Sequence, residues 1–164
     1  MTGYERAFAH PASRLALEVF RLNGALVATG DALVAPLGLT SARWQVLGAV
    51  AQAQGGLPVA GIARNMGLVR QSVLRVVNDL VALGALRLAP NPHHKRAQLV
   101  QLTPKGAALF DDASVGWIAL ADAFLADLEP VEVERAISTL RTIRDQLQEA
   151  ANPNDPTATA PEGE

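Results

Sequence analysis

Apolar positions recur at helical spacing in several stretches of this chain and alternate in one short stretch. From Pro11, a plausible first-turn position, Leu15, Val19, Leu22, Leu26 and Leu33 follow at steps of four, three, four and seven. That spacing predicts one long amphipathic helix over 11–35, ending before Pro36 and weakened by Gly24 and Gly30. Met1 to His10 reads as a loose lead-in. Thr40 or Ser41 caps a second helix, with Trp44, Leu47 and Val50 inward, and Gln54-Gly55-Gly56 ends it. Thr103 as N-cap and Pro104 at the first helical position open another helix to about Leu128. Its stripe is Phe110, Ala113, Trp117, Leu120 and Phe124. After Glu129-Pro130, the positions Val133, Ile137, Leu140, Ile143 and Leu147 mark a last helix. Asn152 to Glu164 holds three prolines and no large apolar residue, so 151–164 is expected to be a disordered tail.

The central stretch, Pro58 to Leu102, carries the most information. Val59 to Met66 is a short helical pattern, and Met66-Gly67-Leu68 supplies a tight turn. Val69 to Leu83 then reads as one helix with Val69, Val73, Val76, Val77 and Leu80 on a single buried face. Arg70, Gln71, Ser72, Arg75 and Asn78 occupy the opposite face, which is rich in donors and holds no acid. Gly84 sits where a left-handed C-cap is needed. Leu86-Arg87-Leu88 alternates like a strand, and Ala97 to Leu102 returns as a second one. Between them Pro90-Asn91-Pro92-His93-His94-Lys95-Arg96 is neither helix nor central strand, because two prolines fix the backbone and remove donors. Helix, turn, helix and basic hairpin make a winged helix-turn-helix. The fold class is therefore mostly α with a small β-hairpin wing.

In order and spacing these residues resemble the MarR family of bacterial transcriptional regulators. The matching positions are Ile62-Ala63, Met66-Gly67-Leu68, Arg70-Gln71-Ser72-Val73 and Arg75-Val76-Val77-Asn78-Asp79-Leu80. They continue through Leu83-Gly84, Asn91-Pro92, Arg96 and Leu102-Thr103-Pro104-Lys105-Gly106. The likeness extends from Leu15 to Ala150. Two positions depart from it. Where the family's wing commonly carries Asp-x-Arg-x-x-Arg, this chain has Asn91, His93 and Arg96, keeping only the last Arg. Where a Ser or Thr usually begins the recognition helix, this chain has Val69, which cannot cap it. The resemblance implies a homodimeric transcription factor, more often a repressor than an activator. It also implies that a small, often aromatic, anionic effector binds between the dimerisation helices and the DNA-binding lobe, where Arg14, Arg43, Trp44 and Trp117 are candidate lining residues.

Composition narrows the setting. A chain of 164 residues suits one compact domain or one small module with extensions. Hydrophobic residues are 49% and aromatics only 4%, so Ala, Leu and Val must do the packing. No apolar run reaches the length of a membrane span and no basic stretch leads into an apolar core at the N-terminus, so a cytoplasmic address is expected. The absence of Cys excludes disulfides and a thiol redox switch. A net charge of −2 looks unpromising for nucleic acid, but its distribution is uneven. Residues 60–106 contain seven basic side chains and one acid, a net of +6, and the remainder contains seven basic and fifteen acidic ones, a net of −8. A phosphate backbone senses that local potential.

Candidate chemistry follows from the exposed face. Gln71 and Arg75 are four apart near the end of the helix that enters the major groove first. There Gln pairs bidentately with adenine and Arg with guanine. Ser72 bonds a phosphate or either base, Arg70 grips the backbone or reads a base, and Asn78 adds a further amide. Leu74, lying between Arg70 and Asn78, is either a lone exposed Leu or a contact to a thymine methyl. In the wing, Lys95 and Arg96, helped by His93 and His94 when protonated at mildly acid pH, reach phosphates or a narrow minor groove. A metal site is not expected, since His10 is the only other His and adjacent His side chains diverge. No cofactor is expected either. An enzyme is the rival class, but no nucleophile–base pairing or phosphate-cradling Gly loop is present, and Asp111-Asp112 near a helix start is explained by the macrodipole.

Three long stripes are more than a small winged helix covers. The expected organisation is an N-terminal dimerisation helix over 11–35, a DNA-binding domain over 36–102 and C-terminal dimerisation helices over 103–150. The alternative for the stripes is an intramolecular bundle in a monomer. A twofold pair would space two recognition helices roughly 34 Å apart, one duplex turn, on an inverted-repeat operator. The alternative function is a dimeric interaction module that kept the fold and lost DNA binding.

Overall fold

The computed structural model describes residues 2–92, 94 and 96–151. Its elements are α1 (Gly3–Ala9), α2 (Pro11–Val34), a 3-10 turn (Ala35–Leu37), α3 (Ser41–Gln52), α4 (Val59–Met66), α5 (Arg70–Ala82), β1 (Leu86–Ala89), β2 (Leu99–Leu102), α6 (Pro104–Leu125) and α7 (Pro130–Ala151). The mostly helical chain with a two-stranded wing is the expected class. The tail from 152 onward lies outside the described residues, as do His93 and Lys95.

The expected loose lead-in is instead helical. Thr2 accepts a hydrogen bond from the Glu5 backbone N–H while the Glu5 carboxylate accepts one from the Thr2 N–H, a reciprocal capping box that satisfies two orphan donors. His10 then caps α2, its Nδ1 accepting from the Ala12 N–H at 3.1 Å, with Pro11 at the first helical position. Thr40 rather than Ser41 caps α3. Ser41 is buried and ties α3 to α2: its Oγ donates to the Val27 carbonyl at 2.8 Å, and its backbone N–H donates to Asp31 Oδ1 at 2.6 Å. Gly30 is the position on α2 that allows this approach. A Cβ there would lie 2.6 Å from Ser41 Oγ.

The chain divides into two compact units, residues 1–119 and 120–164. In the first, the core lies between α3, α4, α5 and the hairpin, with Val46, Leu47, Ile62, Val73, Val77 and Leu80 fully buried. The strands pair antiparallel in the register Leu86↔Leu102 to Ala89↔Leu99. Leu57 bridges Val100 on the other side of β2, exchanging backbone hydrogen bonds of 3.1 and 2.8 Å. Gly56, at φ +93°, lets the chain reach that bridge, because a Cβ would lie 2.7 Å from the Val100 carbonyl. On α6, Gly48 of α3 meets the Phe110 ring, and Gly116 faces Leu33 of α2. In the second unit α7 has no fully buried residue; Val133, Ile137 and Ile143 are half-buried, and Leu140 and Leu147 are exposed.

Boundaries moved where a local device decided them. Helix α5 begins at Arg70, not Val69. Val69 is extended (φ −69°, ψ 132°), makes no side-chain cap and is 70% exposed rather than buried. A residue at the N-cap lies outside the helical wheel, so the wheel misplaces it. Val76 is half-buried, β2 starts at Leu99, and α6 ends at Leu125.

Two stability measurements follow. Gly30→Ala is expected to lower unfolding free energy by about 1–2 kcal/mol in urea titration, because overpacking at Ser41 outweighs the gain in helix propensity; unchanged or higher stability contradicts the crossing. Val69→Ser supplies the missing cap in a backbone conformation suited to it, and is expected to add about 1 kcal/mol and raise Tm by several degrees. A Tm at or below that of the parent contradicts the uncapped N-terminus.

Candidate nucleic-acid interface

The turn before α5 is built by one glycine. Gly67 closes α4 at φ +63°, and the Leu68 N–H returns to the Ala63 carbonyl at 2.9 Å, so the chain reverses within three residues. With Val73, Val77 and Leu80 turned into the core, helical periodicity forces Arg70, Gln71, Ser72, Leu74, Arg75 and Asn78 outward, and all six are exposed. Leu74 is accompanied by exposed Leu68 and Val69, which gives the start of the helix an apolar patch beside its donors. Sequence periodicity missed that patch, although the missing Ser or Thr at position 69 pointed to it.

The other end of α5 is clasped. Gly84 turns at φ +75°, and Thr103 Oγ1 donates across to the Gly84 carbonyl at 2.7 Å. Lys105 Nζ donates to the Leu83 carbonyl at 2.7 Å, which places a cation on the helix C-terminus. Lys105 therefore caps α5. Gly106 is buried against Ala85, leaving no room for a Cβ beside the Ala85 carbonyl.

Asp79 corrects the expected face. It is exposed on the polar side of α5, four residues beyond Arg75, so that side holds one acid. Arg43 of α3 holds it, Nη2 to Oδ2 at 3.2 Å. The pair is half-exposed, so it contributes little to stability.

In the wing, the His94 N–H returns to the Asn91 carbonyl at 3.3 Å and the Ala97 N–H to the His94 carbonyl at 3.1 Å. His94 and Arg96 are exposed there. Arg87 is exposed on β1 and Arg64 on α4.

The four effector candidates separate. Trp44 and Trp117 stack edge to face with ring centroids 5.5 Å apart. Trp44 Nε1 is buried and has no hydrogen-bond partner among the described residues. Arg43, next to Trp44, is engaged by Asp79. Arg14 lies elsewhere, on an open groove of about 470 Å³ lined only by α2 residues. Trp44 packs near Gly30, and sixteen residues of helix put Arg14 roughly 24 Å further along α2. Among the described residues no group of three or more His, Asp or Glu is placed to hold a metal ion. No single described helix is long and apolar enough to cross a membrane. The pair Pro11–Leu37 and Ser41–Gln52 reaches that composition only together, bent by 84°.

Comparison with known proteins agrees with this geometry. Residues 37–97, from the 3-10 turn into the wing, match the model of the MarR family. An uncharacterised protein of Mycobacterium tuberculosis is 34% identical over 129 residues, covering 79% of this chain and 89% of its own. Sco5413, a MarR family transcriptional regulator from Streptomyces coelicolor, superposes with a TM-score of 0.69 at 28% identity, over 88% of this chain and 98% of that one. A mutant of the Escherichia coli regulator MarR complexed with operator DNA shares the fold at a TM-score of 0.70 and 22% identity, covering 79% and 93%. With the turn, the donor-faced helix and the hairpin in the order the family requires, this chain belongs to the MarR family of transcriptional regulators.

Proposed function

We propose that the protein is a homodimeric repressor that reads an inverted-repeat operator in double-stranded DNA and is released by a small aromatic or anionic effector. The observation that carries the reading is the outward face of α5, where Gln71, Arg75 and Asn78 stand exposed opposite the buried Val73, Val77 and Leu80. In this reading Gln71 and Arg75 pair with base edges. Arg70 and Ser72 hold phosphates, Leu74 meets a thymine methyl, and Arg96 with His93, His94 and Lys95 carries the wing onto the backbone or minor groove. The E. coli regulator of the same fold is known in complex with operator DNA, which supports the groove assignment.

The dimer rests on apolar surface that the chain leaves open. Gly30 and Val34 are the buried residues of α2, while Leu15, Val19, Phe20, Leu22 and Leu26 face solvent along it. Tyr4 and Phe8 stack on α1 with ring centroids 4.7 Å apart and remain exposed, as do Val115 and Ile118 of α6. Monomeric proteins rarely leave contiguous apolar surface on that scale uncovered. A second copy, burying segments 11–35 and 103–150 against their symmetry mates, accounts for it. The effector reading rests on Trp44. Its unpartnered buried Nε1–H, beside the Trp117 ring, offers a donor and an aromatic wall to a ligand carrying both an oxygen acceptor and a ring.

Selection of random duplex pools by the full-length protein at two salt concentrations tests this reading. The expected result is an inverted repeat with half-sites centred about 10 bp apart, and an affinity that falls linearly with salt on logarithmic axes. Gln71→Ala and Arg75→Ala should each relax preference at one base of each half-site by about 1–3 kcal/mol. Arg96→Ala should weaken binding evenly across sequences. Failure to enrich any sequence, with negligible binding at low salt, would move the protein to the rival class of interaction modules.

A further inference from the structure

We propose that Arg43 is a positioning residue for DNA reading: it holds Asp79 so that the Arg75 guanidinium stays free for the groove. The inference rests on the DNA-binding function proposed above, and it concerns a contact 36 residues apart in sequence.

Asp79 is the single acid between residues 60 and 106, and it sits on the exposed side of the recognition helix. It lies four residues beyond Arg75, the spacing at which helical side chains meet and opposite charges pair. Left to themselves, Arg75 and Asp79 would form that pair. The pairing would draw the guanidinium back along the helix toward its C-terminal half, away from the base edges. Paired with neither Arg, Asp79 would instead place an uncompensated negative charge close to where the phosphate backbone must run.

The structure resolves the conflict from outside the helix. Arg43, in the first turn of α3, reaches Asp79 Oδ2 with Nη2 at 3.2 Å, and Arg75 makes no ion pair among the described residues. The Asp79 carboxylate is thus engaged from the α3 side and its charge is neutralised. Because the pair is half-exposed, at 33% and 48%, its contribution to fold stability is small. Its effect falls on the neighbouring side chain. Arg43 itself is committed to a carboxylate, so it is assigned no phosphate contact.

The test compares Arg43→Ala, Asp79→Asn and the double variant with the parent protein, using the operator selected by the parent. Fluorescence anisotropy is run over a salt series, with duplexes changed at the base that Arg75 reads, and thermal melting checks folding. The expected result is that Arg43→Ala binds on the order of tenfold more weakly and discriminates less at that base. Asp79→Asn should bind at least as tightly as the parent. The double variant should recover both affinity and discrimination, since removing the acid makes its keeper unnecessary. All should keep the parental salt slope.

An Arg43→Ala protein that binds like the parent overturns the inference. So does a double variant that stays weak: with a salt slope lowered by about 0.9 per lost contact it makes Arg43 a phosphate ligand, and with an unchanged slope it makes the pair a brace for the helix. If Arg43→Ala melts early, Asp79→Asn and the double variant still decide the matter, because a loss of affinity in either contradicts the proposal. A parent protein that selects no operator fails at the earlier step, and that failure belongs to the DNA-binding reading rather than to Arg43.

Discussion

Helix α5 can turn its donors outward only because its other face is fixed in a dry core. Val73, Val77 and Leu80 are fully buried, and helical geometry leaves Gln71, Arg75 and Asn78 no direction but outward. Each surrounding element constrains that helix from a different side. Ile62 and Ala63 of α4 pack beneath it, Gly67 sets its entry angle, and Val46, Leu47 and Val50 of α3 complete the floor. At its far end the clasp of Thr103, Lys105 and Gly106 joins it to the start of α6. Rotating α5 by one residue's turn would bury donors and expose valines, so the core and the donor face are a single constraint seen from two sides.

The same economy fails for the long helices. Beyond Gly30, Leu33 and Val34, the stripe of α2 stays exposed among the described residues, and exposed apolar side chains continue through α1 and along α6. In the proposed dimer this surface becomes the interface. The link between interface and reading face would then be short. Gly30 seats α3 on α2, α3 floors α5, and the Thr103–Lys105 clasp fixes the end of α5 to the helix that carries Val115 and Ile118. Trp44 and Trp117 lie along that route, on α3 and α6. A ligand wedged between them would act on both helices that hold α5.

Periodicity made the fold legible because each helix turns one stripe inward and the chain supplies clear stops at Pro36, Gly56, Gly67 and Gly84. The outward, donor-bearing face of α5 was legible for the same reason. What the pattern could not reveal depends on partners distant in sequence or on a single backbone approach. Gly30 reads as a weak point in a helix until Ser41 is seen against it. Asp79 and Arg43 are 36 residues apart, and neither alone signals the other. Leu57 looks like linker until Val100 bridges to it. Val69 fitted the apolar stripe by spacing but falls one residue before the helix begins, where the wheel no longer applies. The capping box at Thr2 and Glu5 was readable in principle; with no strong stripe after it, the lead-in looked unstructured.

In the proposed complex the two α5 helices of one dimer read one face of a duplex. Hydroxyl-radical footprinting of the full-length protein on its selected operator tests this most directly. Two protected patches per strand on the same face are expected, with half-sites about 10 bp apart from centre to centre. A single patch, or protection spread evenly along the duplex, would contradict it.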